Sequence, residues 1–351
     1  MTEELKNILR VAFIYATSII GAGFASGQEI MRFFSIYKAG GFYGILLAGL
    51  LFSIIGCIVL KKVYTDRIRN YEEFLFPTFG WISGWILEVA VTVFMLCLFC
   101  VMVAGSGNVL TEMFGIPFRY SVLIMALLCM VIIMSNIKGI VTLNSFITPV
   151  LLAGILFTGL YIIMFSTSEV FNAAGLLKCI SENWPVSSLL YVSYNSMLAI
   201  VMMCSLQPYL KTSATAKWGG ILGGVFLCIS AMVIHAAIFM FYPTAFKKEL
   251  PILSILSGMN NTAGFLYAIV LWLAMISSAV MSGFGFTDRI STMLRVGKKQ
   301  VTVILCAAAV PLSSFGFSRL IATVYPAFGY IGLFMIIVIL ITAVVKRDGR
   351  K

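Results

Sequence analysis

Three short stretches of this chain place polar groups where apolar helix is otherwise expected. The first, "SIIGAGFASGQE" from Ser18 to Glu29, holds Gly21, Gly23 and Gly27 and ends on a carboxylate. Each glycine inside a helix costs up to about 1 kcal/mol relative to alanine, so this stretch is a candidate break. Unwinding would free amides around Gly21, Ala22 and Gly23 that suit a carboxylate, with the Ser26 hydroxyl as a further contact. It would also free carbonyls that suit a cation. Close helix packing through small residues is the alternative use of the same glycines.

The second stretch is "SYNS", Ser193, Tyr194, Asn195 and Ser196, inside the apolar run "LLYVSYNSMLAIVMM". Its side chains donate and accept hydrogen bonds and suit a small polar solute, or else a neighbouring helix. The third is Ala274, Ser277 and Ser278. At i, i+3 and i+4 they share one helical face. A carbonyl and two hydroxyls are hard donors suited to Na⁺, although serines in such helices also bond back to their own backbone.

Charges inside apolar runs form a fourth set. Glu29 is a candidate gate or proton carrier, or a structural partner of Arg32 at i+3; Arg319 is a more distant candidate partner. Glu88 reads as a buried carboxylate of the helix bundle, a proton carrier or part of a gate. Asp288 and Arg289 read as a local ion pair or an interface anchor. His235 is the one histidine and reads as a hydrogen-bonded packing residue. "CLFC", with Cys97 and Cys100, reads as small apolar residues rather than a redox or zinc pair. The aromatic residues read mostly as lipid-facing or interfacial, Trp81 and Trp85 included.

The elements that must position these groups are membrane helices. Hydrophobic residues make up 61% of the 351 and charged residues 11%, against about 45–50% and about 25% in soluble domains. Apolar runs of 18 or more residues recur throughout, each long enough to cross a ~30 Å hydrocarbon core. Ten spans are expected, near 9–35, 40–61, 81–112, 120–137, 139–166, 186–210, 217–243, 263–288, 300–314 and 319–345. Short helices are expected in the connections 65–80, 167–185 and 245–262. Of 24 Lys and Arg residues, 17 fall on the side of the N-terminus. This puts both termini in the cytoplasm and explains the net charge of +11 without nucleic acid. A signal peptide is disfavoured because apolar character resumes after Glu29. The chain shows no phosphate loop, paired catalytic carboxylates or nucleophile–base spacing, so an enzyme is not expected.

The spans repeat. "GGFYGILLAGLLFSI" opens the second span at Gly40 and "GGILGGVFLCISAM" opens the seventh at Gly219, an offset of 179 that superposes spans 1–5 on spans 6–10. Five is odd, so the second half, about 188–345, enters the membrane inverted relative to the first, about 9–166. Inverted repeats place binding sites near the midplane, where discontinuous helices meet. Breaks are therefore expected in spans 1 and 6 of one transmembrane domain, 1–351.

Ten spans in a five-plus-five inverted repeat resemble the LeuT-type fold of the amino acid–polyamine–organocation superfamily. "TSIIGAGFASGQE" closely resembles the first helix of the YkvI-type bacterial membrane proteins, a family classed among candidate amino acid permeases. The resemblance implies a sodium site built from the Thr17 and Ile20 carbonyls of helix 1 and from Ala274, Ser277 and Ser278 of helix 8. Some relatives replace this ion by a lysine within helix 5. Here Lys138 only precedes that span, which favours sodium over that form of proton coupling. The expectation is a sodium-coupled symporter of a small amino acid or similar zwitterion in a bacterial cytoplasmic membrane. The alternatives are a proton-coupled carrier using Glu29 or Glu88, and an amino-acid-sensing receptor subunit that transports nothing. No cofactor beyond the coupling ion is expected, and the oligomeric state stays open.

Overall fold

The computed structural model describes residues 3–135, 137–166, 183–242 and 244–348, without the side chains of 137–148 and 343–348. Most of the connection 167–185, expected to hold a short helix, lies outside the described residues. Every described element is a helix. Three short helices cover the first expected span: α1 (Glu3–Ile19), α2 (Ala22–Ala25) and α3 (Gln28–Phe33). They are followed by α4 (Ala39–Thr65), α5 (Tyr71–Phe79), α6 (Trp81–Phe114), α7 (Phe118–Met134) and α8 (Ile137–Phe165). The second half contains α9 (Trp184–Cys204), α10 (Ser213–Met240), α11 (Pro251–Met259), α12 (Asn261–Leu294), α13 (Lys298–Ser313) and α14 (Phe317–Asp348). Among the described residues, six helices are long and apolar enough to cross a membrane: α4, α6, α9, α10, α12 and the 317–342 part of α14. Apolar helices over 118–134 and 149–165 are shorter. This is a multi-pass membrane protein.

Local chemistry sets the boundaries. The Asn70 side chain accepts from Glu73 N at 2.9 Å and donates to Glu73 Oε1 at 3.0 Å, which caps α5. Thr212 caps α10 and Asn260 caps α12 in the same way, each accepting a backbone N–H at 3.0 Å. Gly80 and Gly115 end α5 and α6 at φ 77° and 66°, a left-handed turn that glycine takes without steric cost.

The two glycine-rich helices, α4 and α10, pack backbone to backbone. A Cβ on Gly220 would lie 2.4 Å from the Gly56 carbonyl carbon, and one on Gly224 would lie 2.4 Å from Ser53 N. Tyr15 of α1 enters the same seam and donates to Phe52 O at 2.9 Å. Because lipid tails are as apolar as leucine, helices in a membrane gain their contact energy from such close approach.

Two expectations need correction. The aromatic residues are not mostly lipid-facing: Tyr15, Phe24, Phe52, Phe94, Phe99, Tyr191 and Tyr325 are among the largest fully buried side chains. Helix–helix contact buries them, whereas Trp81, at 69% exposure, does face outward. Asp288 and Arg289 do not pair with each other. Arg289 donates to Glu88 across the α6–α12 contact, and Asp288 accepts from Lys298 at 2.5 Å. Side chains adjacent on a helix diverge by about 100°, so each finds a different neighbour.

Gly224→Val should overpack the α4–α10 seam at a cost of about 1–3 kcal/mol. The melting temperature of the detergent-purified protein should fall. Leu46→Val, on the exposed face of α4, should leave it nearly unchanged.

Candidate functional site

The first span is interrupted twice. α1 stops at Ile19, Gly21 is extended at φ −106° and ψ −171°, and α2 begins at Ala22. A second interruption follows at Gly27, whose φ of 84° separates α2 from α3. A Cβ there would also press on the Ile252 side chain at 2.8 Å, so glycine is required twice over. At Gly21 it is not required, since the nearest atom to an added Cβ is Ser278 Oγ at 3.8 Å. Gly23 has a different use. A Cβ there would stand 2.1 Å from Glu29 Oε1, so the missing side chain makes room for that carboxylate.

Backbone polar groups at membrane depth must find partners or line a cavity. Beyond the break they find partners. Ala25 O accepts from Tyr267 Oη at 2.7 Å. Ser26 O accepts from Ile252 N at 3.2 Å. The Gln28 side chain adds a tie, its Nε2 donating to Lys248 O at 3.1 Å. Together α11, the loop before it and Tyr267 of α12 hold α2 and α3 in place. The first-turn N–H groups of α2, on Ala22, Gly23 and Phe24, have no acceptor within their own helix.

A cavity of about 410 Å³ opens at the break. Thr17, Ile20, Gly21, Ala22, Gly23 and Glu29 line it from the first span. Ala274, Ser277 and Ser278 line it from α12, and Tyr194 and Asn195 from α9. Eleven residues singled out in the sequence thus meet around one space. The cavity reaches Ser205, just past the end of α9, and Ser282 on α12, on the side of the break that carries α1. The five donors implied for a sodium site, on Thr17, Ile20, Ala274, Ser277 and Ser278, are all neutral oxygens, hard donors of a kind that suits Na⁺. Among the described residues no three His, Cys, Asp or Glu side chains converge on a point.

Other candidates fall elsewhere, and span 6 differs most. The expected break at Ser193–Ser196 is absent: α9 runs unbroken from Trp184 to Cys204. Its polar side chains bond back to their own helix, Ser193 Oγ to Leu189 O at 2.6 Å and Asn195 Nδ2 to Tyr191 O at 3.0 Å. Ser193 and Asn195 therefore fit an intact helix without outside partners. Ser193 is also buried outside the cavity lining, on a stretch of α9 packed closely against Gly332 of α14. Ser196 is buried off the cavity. Ser26 caps the end of α2, its hydroxyl donating to Gly23 O at 2.8 Å. Arg319 and Glu88 are not in the lining either.

Glu29 is 5% exposed and accepts from Tyr194 Oη at 2.8 Å. It does not pair with Arg32, whose Nη2 donates to Ser318 Oγ at 2.5 Å. The carboxylate instead belongs to the cavity wall. His235 does pack as expected, its Nδ1 2.8 Å from Ser35 Oγ. Phe94, Tyr325, Ser18 and Ser282 also line the cavity and were missed. An aromatic residue or a single serine in an apolar helix reads the same whichever way it faces.

No family model matches the chain. Two Bacillus subtilis proteins are similar to it along almost their entire length. One, an uncharacterized membrane protein, YkvI, is 28% identical over 339 residues, 95% of each chain. The other, the uncharacterized protein YyaD, is 26% identical over 332 residues, 94% of this chain and 95% of the other. Among solved structures, a substrate-bound Na⁺-coupled sialic acid symporter matches with a TM-score of 0.60 at 16% identity, over 93% of this chain and 77% of that one. Mhp1, a nucleobase–cation symporter with bromovinylhydantoin bound, matches at 0.59 and 16% over 92% and 76%. The Eremococcus coleocola manganese transporter matches at 0.55 and 14% over 95% and 77%. The chain is thus similar along almost its whole length to the membrane protein YkvI and to YyaD, and has the LeuT-like fold of these solved transporters.

Proposed function

We propose that this protein is a secondary active transporter that carries a small amino-acid-like zwitterion by alternating access, with Na⁺ as the coupling ion. One observation carries the reading. The interrupted first span, the Ala274–Ser278 face and the Tyr194–Asn195 pair converge on a single cavity. Backbone at the break and oxygens on α12 can then hold an ion and a solute side by side. The ten crossings, the inverted halves and the cytoplasmic termini belong to the same reading. So does a bacterial cytoplasmic membrane.

With the N-terminus in the cytoplasm, the cavity faces inward. The outer side is closed by Tyr267 on Ala25, Ile252 on Ser26 and Gln28 on Lys248. Sodium would tie the end of α1 to Ser277 and Ser278 of α12 and favour the opposite, outward-facing arrangement. A solute bound only when the ion is in place would then move with it. The first-turn amides of α2 supply the contact for the solute's carboxylate. Its amine lies toward α9.

A second reading, proton coupling, is favoured by one specific observation: Glu29 is a buried carboxylate in the cavity wall, hydrogen-bonded to Tyr194. A group so placed can bind a proton from one side and release it to the other.

The double substitution Ser277→Ala with Ser278→Ala should abolish sodium-dependent uptake into proteoliposomes while the purified protein keeps its melting temperature. Unchanged uptake would remove these hydroxyls from the ion site. In the same vesicles an inward sodium gradient at equal pH should drive accumulation of a labelled amino acid mixture. Accumulation driven by a pH gradient alone, and lost in Glu29→Gln, would establish the second reading instead.

A further inference from the structure

The cavity wall has an unequal charge and a particular surface beside that charge. Glu29 is the one acidic residue among the described residues lining it, and no Lys, Arg or His joins it there. Three aromatic rings from three helices line the cavity with this carboxylate: Tyr194 of α9, which touches it, and Phe94 of α6 and Tyr325 of α14, which pack on the Tyr194 ring. The centroids of Phe94 and Tyr194 are 6.1 Å apart at 79°, and those of Phe94 and Tyr325 are 6.1 Å apart at 82°. Tyr194 and Tyr325 are 4.7 Å apart. The Tyr194 hydroxyl donates to Glu29 Oε2 at 2.8 Å and ties the rings to the carboxylate. Gly23, by lacking a Cβ, leaves the other oxygen its place against α2.

Aromatic faces carry partial negative charge and attract a cation within about 6 Å of their centres, more strongly when water is excluded. A buried carboxylate without a cationic neighbour in the wall attracts the same ligand and disfavours an anion. The Phe94 ring offers a carboxylate or phosphate no hydrogen-bond donor, and the Tyr194 hydroxyl already donates to Glu29. We infer that the cavity selects an organic ammonium group, seated between Glu29 and the rings of Phe94, Tyr194 and Tyr325. The ammonium is then the required part of the substrate, and a carboxylate on it is dispensable. This rests on the reading of the cavity as a substrate site and places the amine at the Glu29 end of it. The neutral Ala274–Ser278 oxygens have no comparable aromatic wall and remain for a small ion.

The test uses the purified full-length protein in detergent and matched sets of three probes that share one body. Phenethylamine, phenylalanine and hydrocinnamic acid form an aromatic set; isopentylamine, leucine and isocaproic acid form an aliphatic one. Binding is read as a concentration-dependent rise in melting temperature. In at least one set the amine and the amino acid should bind, and the acid should not. Glu29→Gln keeps shape and removes the charge, and should weaken amine binding about tenfold or more, the loss of one charge-assisted contact. Phe94→Leu keeps bulk and removes a ring, and should weaken it by a smaller factor. Both variants must first give a monodisperse peak and a ligand-free melting temperature near that of the parent chain. If Glu29→Gln fails that check, Phe94→Leu carries the comparison alone.

Acids binding as well as amines would overturn the inference, as would no amine binding or undiminished amine binding in a folded Glu29→Gln or Phe94→Leu. Uptake separates this from the transport reading. Amines that bind but never accumulate in proteoliposomes would remove transport and keep the ammonium site. Accumulation of acids that lack an amine would keep transport and remove the ammonium site.

Discussion

Every exposed backbone N–H and C=O at membrane depth needs a partner, and the interrupted first span is where this chain meets that demand. A gap in a helix surrounded by lipid would leave several polar groups unpaired, each costing several kcal/mol. Here the gap at Ile20–Gly21 lies between α9 and α12, with hydroxyls from both nearby. The carbonyls past the gap are taken by Tyr267 and Ile252. The rest of the molecule can be understood as what keeps that gap enclosed on one side and open on the other.

Small residues do much of the enclosing. Gly56, Gly220 and Gly224 bring α4 and α10 into backbone contact, and Tyr15 locks α1 to the same pair. Gly105 and Gly283 let α6 and α12 approach, the first against Met275 and Phe317 and the second against Phe99. With the helices this close, a few side chains decide the character of the cavity. Gly23 admits Glu29, Tyr194 holds it, and Phe94 and Tyr325 complete the wall. A polar wall at one end and an apolar one along α6, at Met95, Leu98 and Met102, give the space a direction.

Much of this was legible in the residues, for stated reasons. Long apolar runs announce helices because hydrocarbon leaves a backbone no other use for its polar groups. The three glycines between Ser18 and Glu29 mark the stretch where α1 stops, and Ala274, Ser277 and Ser278 share a face because helical spacing puts them there. "SYNS" misled because a run of polar residues is compatible with an intact helix when serine and asparagine can reach the carbonyl four residues back. Phe94 and Tyr325 were illegible because hydropathy is the same toward lipid and toward a cavity. The partner of Glu29 was illegible for another reason: Tyr194 is 165 residues away, and only packing brings it near. Arg32, at i+3, was the plausible partner on helical spacing and turned elsewhere.

The claim at the centre is that the backbone at the break faces a watered cavity rather than a neighbouring helix. Hydrogen–deuterium exchange on the ligand-free, detergent-purified chain tests it directly. The amides of Gly21 to Phe24 should exchange far faster than those of Val11 to Ile19 and of Ala274 to Ser278, which lie in continuous helix. Equal, full protection across all three segments would mean that the first span is closed at Gly21 and that no backbone is available there to a ligand.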